Sequence, residues 1–404
     1  MSVPKLRFKE FDGDWTVQNL GDSFSLISGY AFPSSASVDS GARWLKIADV
    51  GIQEMTPNNP SYLPLEYLSK YSQFIVNKNE YVIALTRPIL NKKLKVAKVG
   101  DFYDGALLNQ RVAKIASSKN DLDFIYSLLQ KSKTVEELEN SIAGTDPPNL
   151  SLNDVKEIKL GFPSKEEQTK IASFVSAVDE KINQLTQKHE LLSRYKQGMM
   201  QKLFSQQIHF KADDGSEFEE WEEKTLLEVA DIVGGGTPST NQEEYWNGDV
   251  VWLTPSEIDR KFIGESKRTI SKLGVQKSSA KILPIGTILF TSRATIGEVA
   301  ISTKELTTNQ GFQSFIVKQN IINEYLYYWV IHNKKKFIER ASGSTFLEIS
   351  KSKMQPMEIL LPCLAEQTKI AHFLSAIDQK IEVVAQQIEQ AKQWKKGLLQ
   401  QMFV

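Results

Sequence analysis

Residues 163–182 read PSKEEQTKIASFVSAVDEKI, and residues 362–381 read PCLAEQTKIAHFLSAIDQKI. Thirteen of these 20 positions are identical at a constant offset, 367 − 168 = 199 for Gln168 and Gln367. The register runs on without a gap to Gly198/Gly397 and Phe204/Phe403. A gapless repeat of that length means one structural unit used twice, so any fold for this chain must hold two equivalent copies. Fainter matches surround it. Trp15 and Leu20 share the spacing of Trp221 and Leu226, Trp44-Leu45 answers Trp252-Leu253, and Thr86-Arg87 answers Ser292-Arg293. Asn109-Gln110 answers Asn309-Gln310, and the segment from Asp123 to Leu128 answers Glu324 to Trp329. The offsets wander between about 199 and 208, as small loop insertions would make them.

Within the repeat, Ile171, Val175, Val178, Ile182, Leu185, His189, Leu192, Lys196, Met199 and Leu203 are spaced by alternating steps of four and three. The second copy gives Ile370, Leu374, Ile377, Ile381, Val384, Ile388, Ala391, Lys395, Leu398 and Met402 with the same steps. This is a coiled-coil seam. Pro163 and Pro362 stand just ahead of each segment, where proline does no harm, and none falls inside. Two helices of about 40 residues, each about 60 Å long, are expected. Two seams in one chain most simply pack on each other, antiparallel, about an approximate two-fold axis. The alternatives are that each binds a helix of another protein or that a third helix joins both. His189 sits on the seam as a packing residue, with no second His or Cys to complete a metal site.

The order is therefore domain, helix, domain, helix: 1–162, 163–205, 206–361 and 362–404. A length of 404 residues suits two or three domains. Apolar runs such as Thr287-Ile288-Leu289-Phe290 are far too short to span a membrane, and the first residues carry no secretory pattern. The one cysteine, Cys363, excludes an internal disulfide framework and fits a reducing cytoplasm. It reads as an ordinary residue at a helix start.

Both globular segments read as mixed α/β folds. Strand-like stretches are 81–85, 111–115, 250–253, 298–301 and 312–317, and helices are expected at 122–131 and 324–339. The local sequence motifs that announce chemistry are missing. Gly234-Gly235-Gly236 is not a dinucleotide-binding motif, and Pro238 disfavours a helix running on from it. No phosphate-binding GxxxxGK[ST] is present. Asp146-Pro147-Pro148-Asn149 resembles the Asp-Pro-Pro-aromatic motif of DNA amino-methyltransferases, but its fourth residue is no base-stacking ring and no cofactor motif precedes it. It reads as a loop. His189, His209, His332 and His372 form no metal-ligand pair.

Binding chemistry remains. Lys plus Arg and Asp plus Glu both number 49, which argues against a protein that coats any DNA but not against a sequence reader. Arg87, Lys92, Lys93, Lys95 and Lys98 cluster, as do Arg260, Lys261, Lys267, Arg268, Lys272, Lys277 and Lys281. Such clusters are either solvated faces or phosphate contacts. Arginine reads guanine and side-chain amides read adenine in the major groove, so Arg87, Arg293, Asn109, Gln110, Asn309 and Gln310 are candidate base readers. Thr237 and Ser239 are candidate phosphate donors, with Lys92, Lys93, Lys261 and Arg268. The amide pairs have an equal claim as turn caps, because they recur in both copies whereas readers of two half-sites should differ.

The helix openings Glu166-Glu167-Gln168-Thr169-Lys170-Ile171-Ala172 and Ala365-Glu366-Gln367-Thr368-Lys369-Ile370-Ala371 resemble those of specificity subunits of type I restriction–modification systems. So do the endings Lys196–Phe204 and Lys395–Phe403, the Trp-x4-Leu segments and Gly236-Thr237-Pro238-Ser239. The resemblance covers essentially the whole chain. It implies two target-recognition domains, each reading half of a split DNA site, with antiparallel helices as a ruler between them. It also implies two adenine methyltransferase subunits and ATP-driven restriction subunits as partners. S-adenosylmethionine, ATP and magnesium would then belong to those partners, and this chain would do no chemistry. The competing reading is a coiled-coil adaptor with protein-binding domains, which lacks the salt-sensitive DNA binding of a reader. A third, a methyltransferase with its own recognition domains, lacks the cofactor and catalytic motifs.

Overall fold

Each copy of the Glu-Gln-Thr-Lys-Ile-Ala segment opens a long helix, Lys165–Phe204 of 40 residues and Leu364–Met402 of 39. The computed structural model describes residues 3–57, 59–142, 147–343 and 347–404. It divides into two units, residues 1–187 with 385–404 and residues 188–384. Each unit thus holds one globular region, the start of one long helix and the end of the other.

The repeated motif is a joint between helix and globular region. In the first unit Glu167 accepts from Arg7 Nε at 2.8 Å and Nη2 at 2.7 Å. Gln168 Oε1 accepts from the backbone N–H of Asp121 at 2.9 Å, and its Nε2 donates to Pro163 O at 3.0 Å. In the second unit Glu366 accepts from Trp221 Nε1 at 2.9 Å, and Gln367 bridges the N–H of Ile322 (2.9 Å) and Pro362 O (2.9 Å). All four side chains are buried. A buried carboxylate or amide left without partners is costly, so burial with matched partners explains why these positions read the same in both copies.

The seam positions are buried or half-buried along both helices, as the period of 3.5 requires. In the first unit Ile171, Val175 and Val178 share a core with Leu398, Met402 and Phe403. In the second, Ile370, Leu374 and Ile377 share one with Met200 and Leu203. In each unit the start of one helix lies against the end of the other, an antiparallel arrangement.

The globular plans match over most of their strands. In the first unit Thr16–Asn19 pairs with Lys159–Phe162, and in the second Glu222–Thr225 pairs with Glu358–Leu361, both antiparallel. An antiparallel sheet in the order Ser25–Ser28, Val112–Ala116, Tyr81–Ala84, Val96–Lys98 corresponds to Ala230–Gly234, Gln313–Val317, Ile288–Phe290, Val299–Ser302, with Phe262–Ile263 added at the edge. A further sheet pairs Ala42–Leu45 with Ser61–Leu63 and, in parallel, with Ala106–Leu108. Its counterpart pairs Trp246–Leu253 with Arg268–Ile270 and, in parallel, with Thr307–Thr308. The strands expected from sequence lie within a residue or two of these, except that Val250–Leu253 belongs to a longer strand. The helix expected over 122–131 ends at Leu128 and is followed by a second, Ser132–Ser141. The one expected over 324–339 breaks into Asn323–His332 and Lys334–Arg340, where Asn333 turns its amide back to Trp329 O at 2.9 Å.

Candidate nucleic-acid interface

Two glycines of the Gly234-Gly235-Gly236 run serve packing. A Cβ on Gly235 would collide with Asn309 O, and one on Gly236 with Ser279 Oγ. Their close approach fixes the course of Thr237–Thr240. Gly29 occupies the equivalent place in the first unit, where a Cβ would collide with Leu108 O. Both Gly29 and Gly235 donate backbone bonds across the sheet, to Val112 O at 3.0 Å and Phe312 O at 3.4 Å. The counterpart of the Gly-Gly-Thr-Pro loop is therefore Gly29-Tyr30-Ala31-Phe32, which glycine content alone does not reveal.

The recurring amides divide. Asn109 Oδ1 accepts from Arg111 N at 3.0 Å, and Asn309 Oδ1 accepts from Gly311 N at 2.9 Å. Their own N–H groups donate to Leu45 O and Leu253 O. Both asparagines cap one turn beside the two-stranded parallel contact. Gln110 and Gln310, next in the chain, are exposed, and Gln310 Oε1 accepts from Thr237 Oγ1.

Of the arginines aligned by sequence, Arg87 and Arg293 are not equivalent. Leu85 O accepts from Leu150 N and Ser292 O accepts from Ile349 N, so Thr86 matches Arg293 and Arg87 matches Ala294. Arg87 and Ala294 both have positive φ, +47° and +57°. The register is one residue off the sequence alignment because the backbone turn, rather than the side chain, is what recurs. Arg293 pairs with Glu348 at 2.8 Å. Arg87 is exposed at the base of the hairpin Ile89–Leu90/Lys93–Leu94, and Asn91 and Lys92 turn the chain with φ of +50° and +58°. Arg87, Lys92 and Lys93 therefore lie together on one exposed hairpin.

The basic clusters are thinner than their sequence suggests. Lys95 donates to Ile47 O at 3.3 Å, and burial pulls its pKa down. Lys98 pairs with Asp123 at 3.2 Å. Lys261 is turned to the helices of its own unit, meeting Glu324 at 2.5 Å, Tyr328 Oη at 2.9 Å and Ser375 Oγ at 3.1 Å. Three partners on a mostly buried ammonium remove it from the surface.

Arg268 is different. Its guanidinium lies 3.7 Å from the ring centre of Trp246. Trp246 Nε1 donates to Ser239 O at 3.1 Å, and Trp252 Nε1 donates to Gly236 O at 2.9 Å. The two indoles meet edge to face at 5.0 Å. Thr237, Ser239, Gln310 and Arg268 are thus joined through one loop and two tryptophans. Sequence reading missed Trp246 and the exposed Arg111 beside Gln110. A tryptophan in the polar stretch Asn241–Asp249 was the signal for the first.

Asp146 lies outside the described residues. Asn149 forms a bridge to Thr86, as the end of a loop does. Among the described residues no group of His, Cys, Asp and Glu could hold a metal ion, and no helix is long and apolar enough to cross a membrane.

The sequence matches the family described as type I restriction modification DNA specificity domain twice, over residues 12–193 and 218–393. The chain belongs to that family. It is 40% identical over 185 residues to the MjaIX specificity subunit of Methanocaldococcus jannaschii, covering 44% of this chain and 43% of that one. The match therefore spans less than half of that relative's length. The putative MjaX specificity subunit of the same organism is 25% identical over 98% of this chain and 94% of its own. A crystal structure of the S subunit from M. genitalium shares the fold, with a TM-score of 0.63 at 17% identity over 100% of this chain and 99% of that one.

Proposed function

We propose that this chain is the DNA-reading subunit of a type I restriction–modification complex. The observation that carries this is the pair of matching globular regions, each joined to a copy of the same helix by the same buried Glu-Gln pair, in a chain of this family. Each unit reads one word of a bipartite site, and the helices set the gap. The recognition surfaces differ, with an Arg-Lys hairpin in one unit and an Arg-on-Trp platform in the other, so the two words differ. Two words are needed because one short word recurs too often in a genome to direct cleavage.

The subunit acts by binding alone. Adenine methyltransferase subunits and ATP-dependent restriction subunits, docked on it in the cytoplasm, supply the chemistry. S-adenosylmethionine, ATP and magnesium belong to them. The coiled-coil adaptor reading has no observation in its favour.

Co-expression with a cognate adenine methyltransferase subunit, followed by mapping of modified adenines across the host genome, tests this. A split, asymmetric motif that appears only with this chain supports the reading. A stable complex that adds no methylation overturns it.

A further inference from the structure

We propose that Arg268 reads a guanine in the word recognised by the second unit. This rests on the DNA-reading function above and goes beyond it by naming a residue and a base.

Some features of the two units recur and others do not. The sheet position opposite the repeated tryptophan is defined by register: Trp44 faces Ser61 in the first unit, and Trp252 faces Arg268 in the second. The surrounding frame is shared, including the parallel strand on the tryptophan's other side and the capped asparagine turn after it. A frame held constant while one side chain changes from a half-buried serine to an exposed arginine is what two readers of different words require. The asparagines, identical in both units and spent on the same turn, are frame.

Arg7 and Arg293 each pair with a carboxylate, whereas Arg268 is held by an aromatic face, 3.7 Å from Trp246, with Trp252 at 5.6 Å. Stacking uses the flat face and leaves the planar edge with its N–H donors. That edge matches the N7 and O6 acceptors of guanine in the major groove, the commonest specific protein–DNA contact. The platform is rigid, because both indole N–H groups are fastened to carbonyls of the Gly236–Ser239 segment. A side chain ordered before binding loses little entropy on contact. The same loop brings Thr237 and Gln310 to the site.

The test compares the chain with R268K and R268Q variants, each co-expressed with the methyltransferase subunit, by mapping modified adenines. Lysine keeps the charge and loses the planar fork. Both variants should relax one word at one G·C position and leave the other word intact, with preference for guanine there falling about 5- to 150-fold. If R268K keeps the full word while R268Q weakens methylation at all sites alike, Arg268 holds phosphate and the proposal is overturned. Unchanged motifs in both variants also overturn it, while the unaltered chain's split motif keeps the DNA-reading function standing. If the unaltered chain directs no methylation, both fall. Thermal melting of R268K, matched to the unaltered chain, separates lost reading from lost folding.

Discussion

Lys395 Nζ lies 2.6 Å from Asp179, and the pair recurs 199 residues away as Asp378 with Lys196 at 2.5 Å. The numbers interlock, since 179 + 199 = 378 and 196 + 199 = 395. Each helix therefore supplies the acid to one pair and the base to the other, as two antiparallel copies must. Lys395 is the more buried, 7% exposed, and also donates to Gln130 Oε1 at 2.7 Å. Burial pulls its pKa down, and Asp179 offsets part of that.

Removing the acid leaves a buried ammonium with only neutral amide partners, whereas removing the base leaves a carboxylate one-third exposed to water. D179L is therefore expected to cost about 3 kcal/mol and K395M about 1–2 kcal/mol. The double variant should be more stable than D179L alone. Urea denaturation across the double-mutant cycle checks this, and simple additivity of the two losses would count against the paired role.

Glu366 carries a pH dependence. Burial pushes its pKa up, and the bond from Trp221 and the charge of His209 offset this in part. Its counterpart Glu167 has Arg7, and the edge contacts Phe8–Phe174 (5.8 Å) and Phe210–Phe373 (5.6 Å) put His209 in Arg7's place. A raised folded-state pKa gives stability that is present at acid pH and lost as pH rises through that pKa. E366Q should therefore gain stability relative to the unaltered protein as pH rises from about 4 to 8. H209R should add about 1 kcal/mol at pH 8 by restoring a guanidinium partner. Melting temperatures over that pH range decide the matter, and an E366Q deficit that does not change with pH would contradict it.

Asn309 is expected to matter for folding rather than reading. N309A leaves the Gly311 N–H without its acceptor at 2.9 Å and should cost about 1 kcal/mol while the methylation motif stays the same. A changed word at normal stability would return Asn309 to the reading surface.

The exposed hairpin of the first unit should act through charge. Replacing Lys92 and Lys93 with glutamine should weaken DNA binding for all sequences alike. It should also lower the slope of log K against log salt by about two. Binding titrations over a range of salt measure this, and an unchanged slope would place the hairpin away from DNA.

The repeat, its seam and the two long helices were legible in the sequence because the motif's burial leaves little freedom at Glu167, Gln168, Glu366 and Gln367. The register of the globular regions was less so. Arg87 and Arg293 look aligned, yet the positive-φ turn they flank matches Arg87 to Ala294. Side-chain identity cannot report a backbone turn. Lys261 read as part of a basic surface, but only the fold shows Glu324 and Ser375 drawing it to the helices. The Arg268 platform depends on a strand pairing between residues 16 apart and a loop that fastens both rings, which no local pattern announces.

In the proposed function the units read the words and the helices set the gap. Insertion of one heptad into both long helices, in phase with the seam, tests it by mapping of methylated motifs. Each heptad adds about 10 Å, about three base pairs of duplex. A longer gap between two unchanged words is expected. Altered words with an unchanged gap would contradict it.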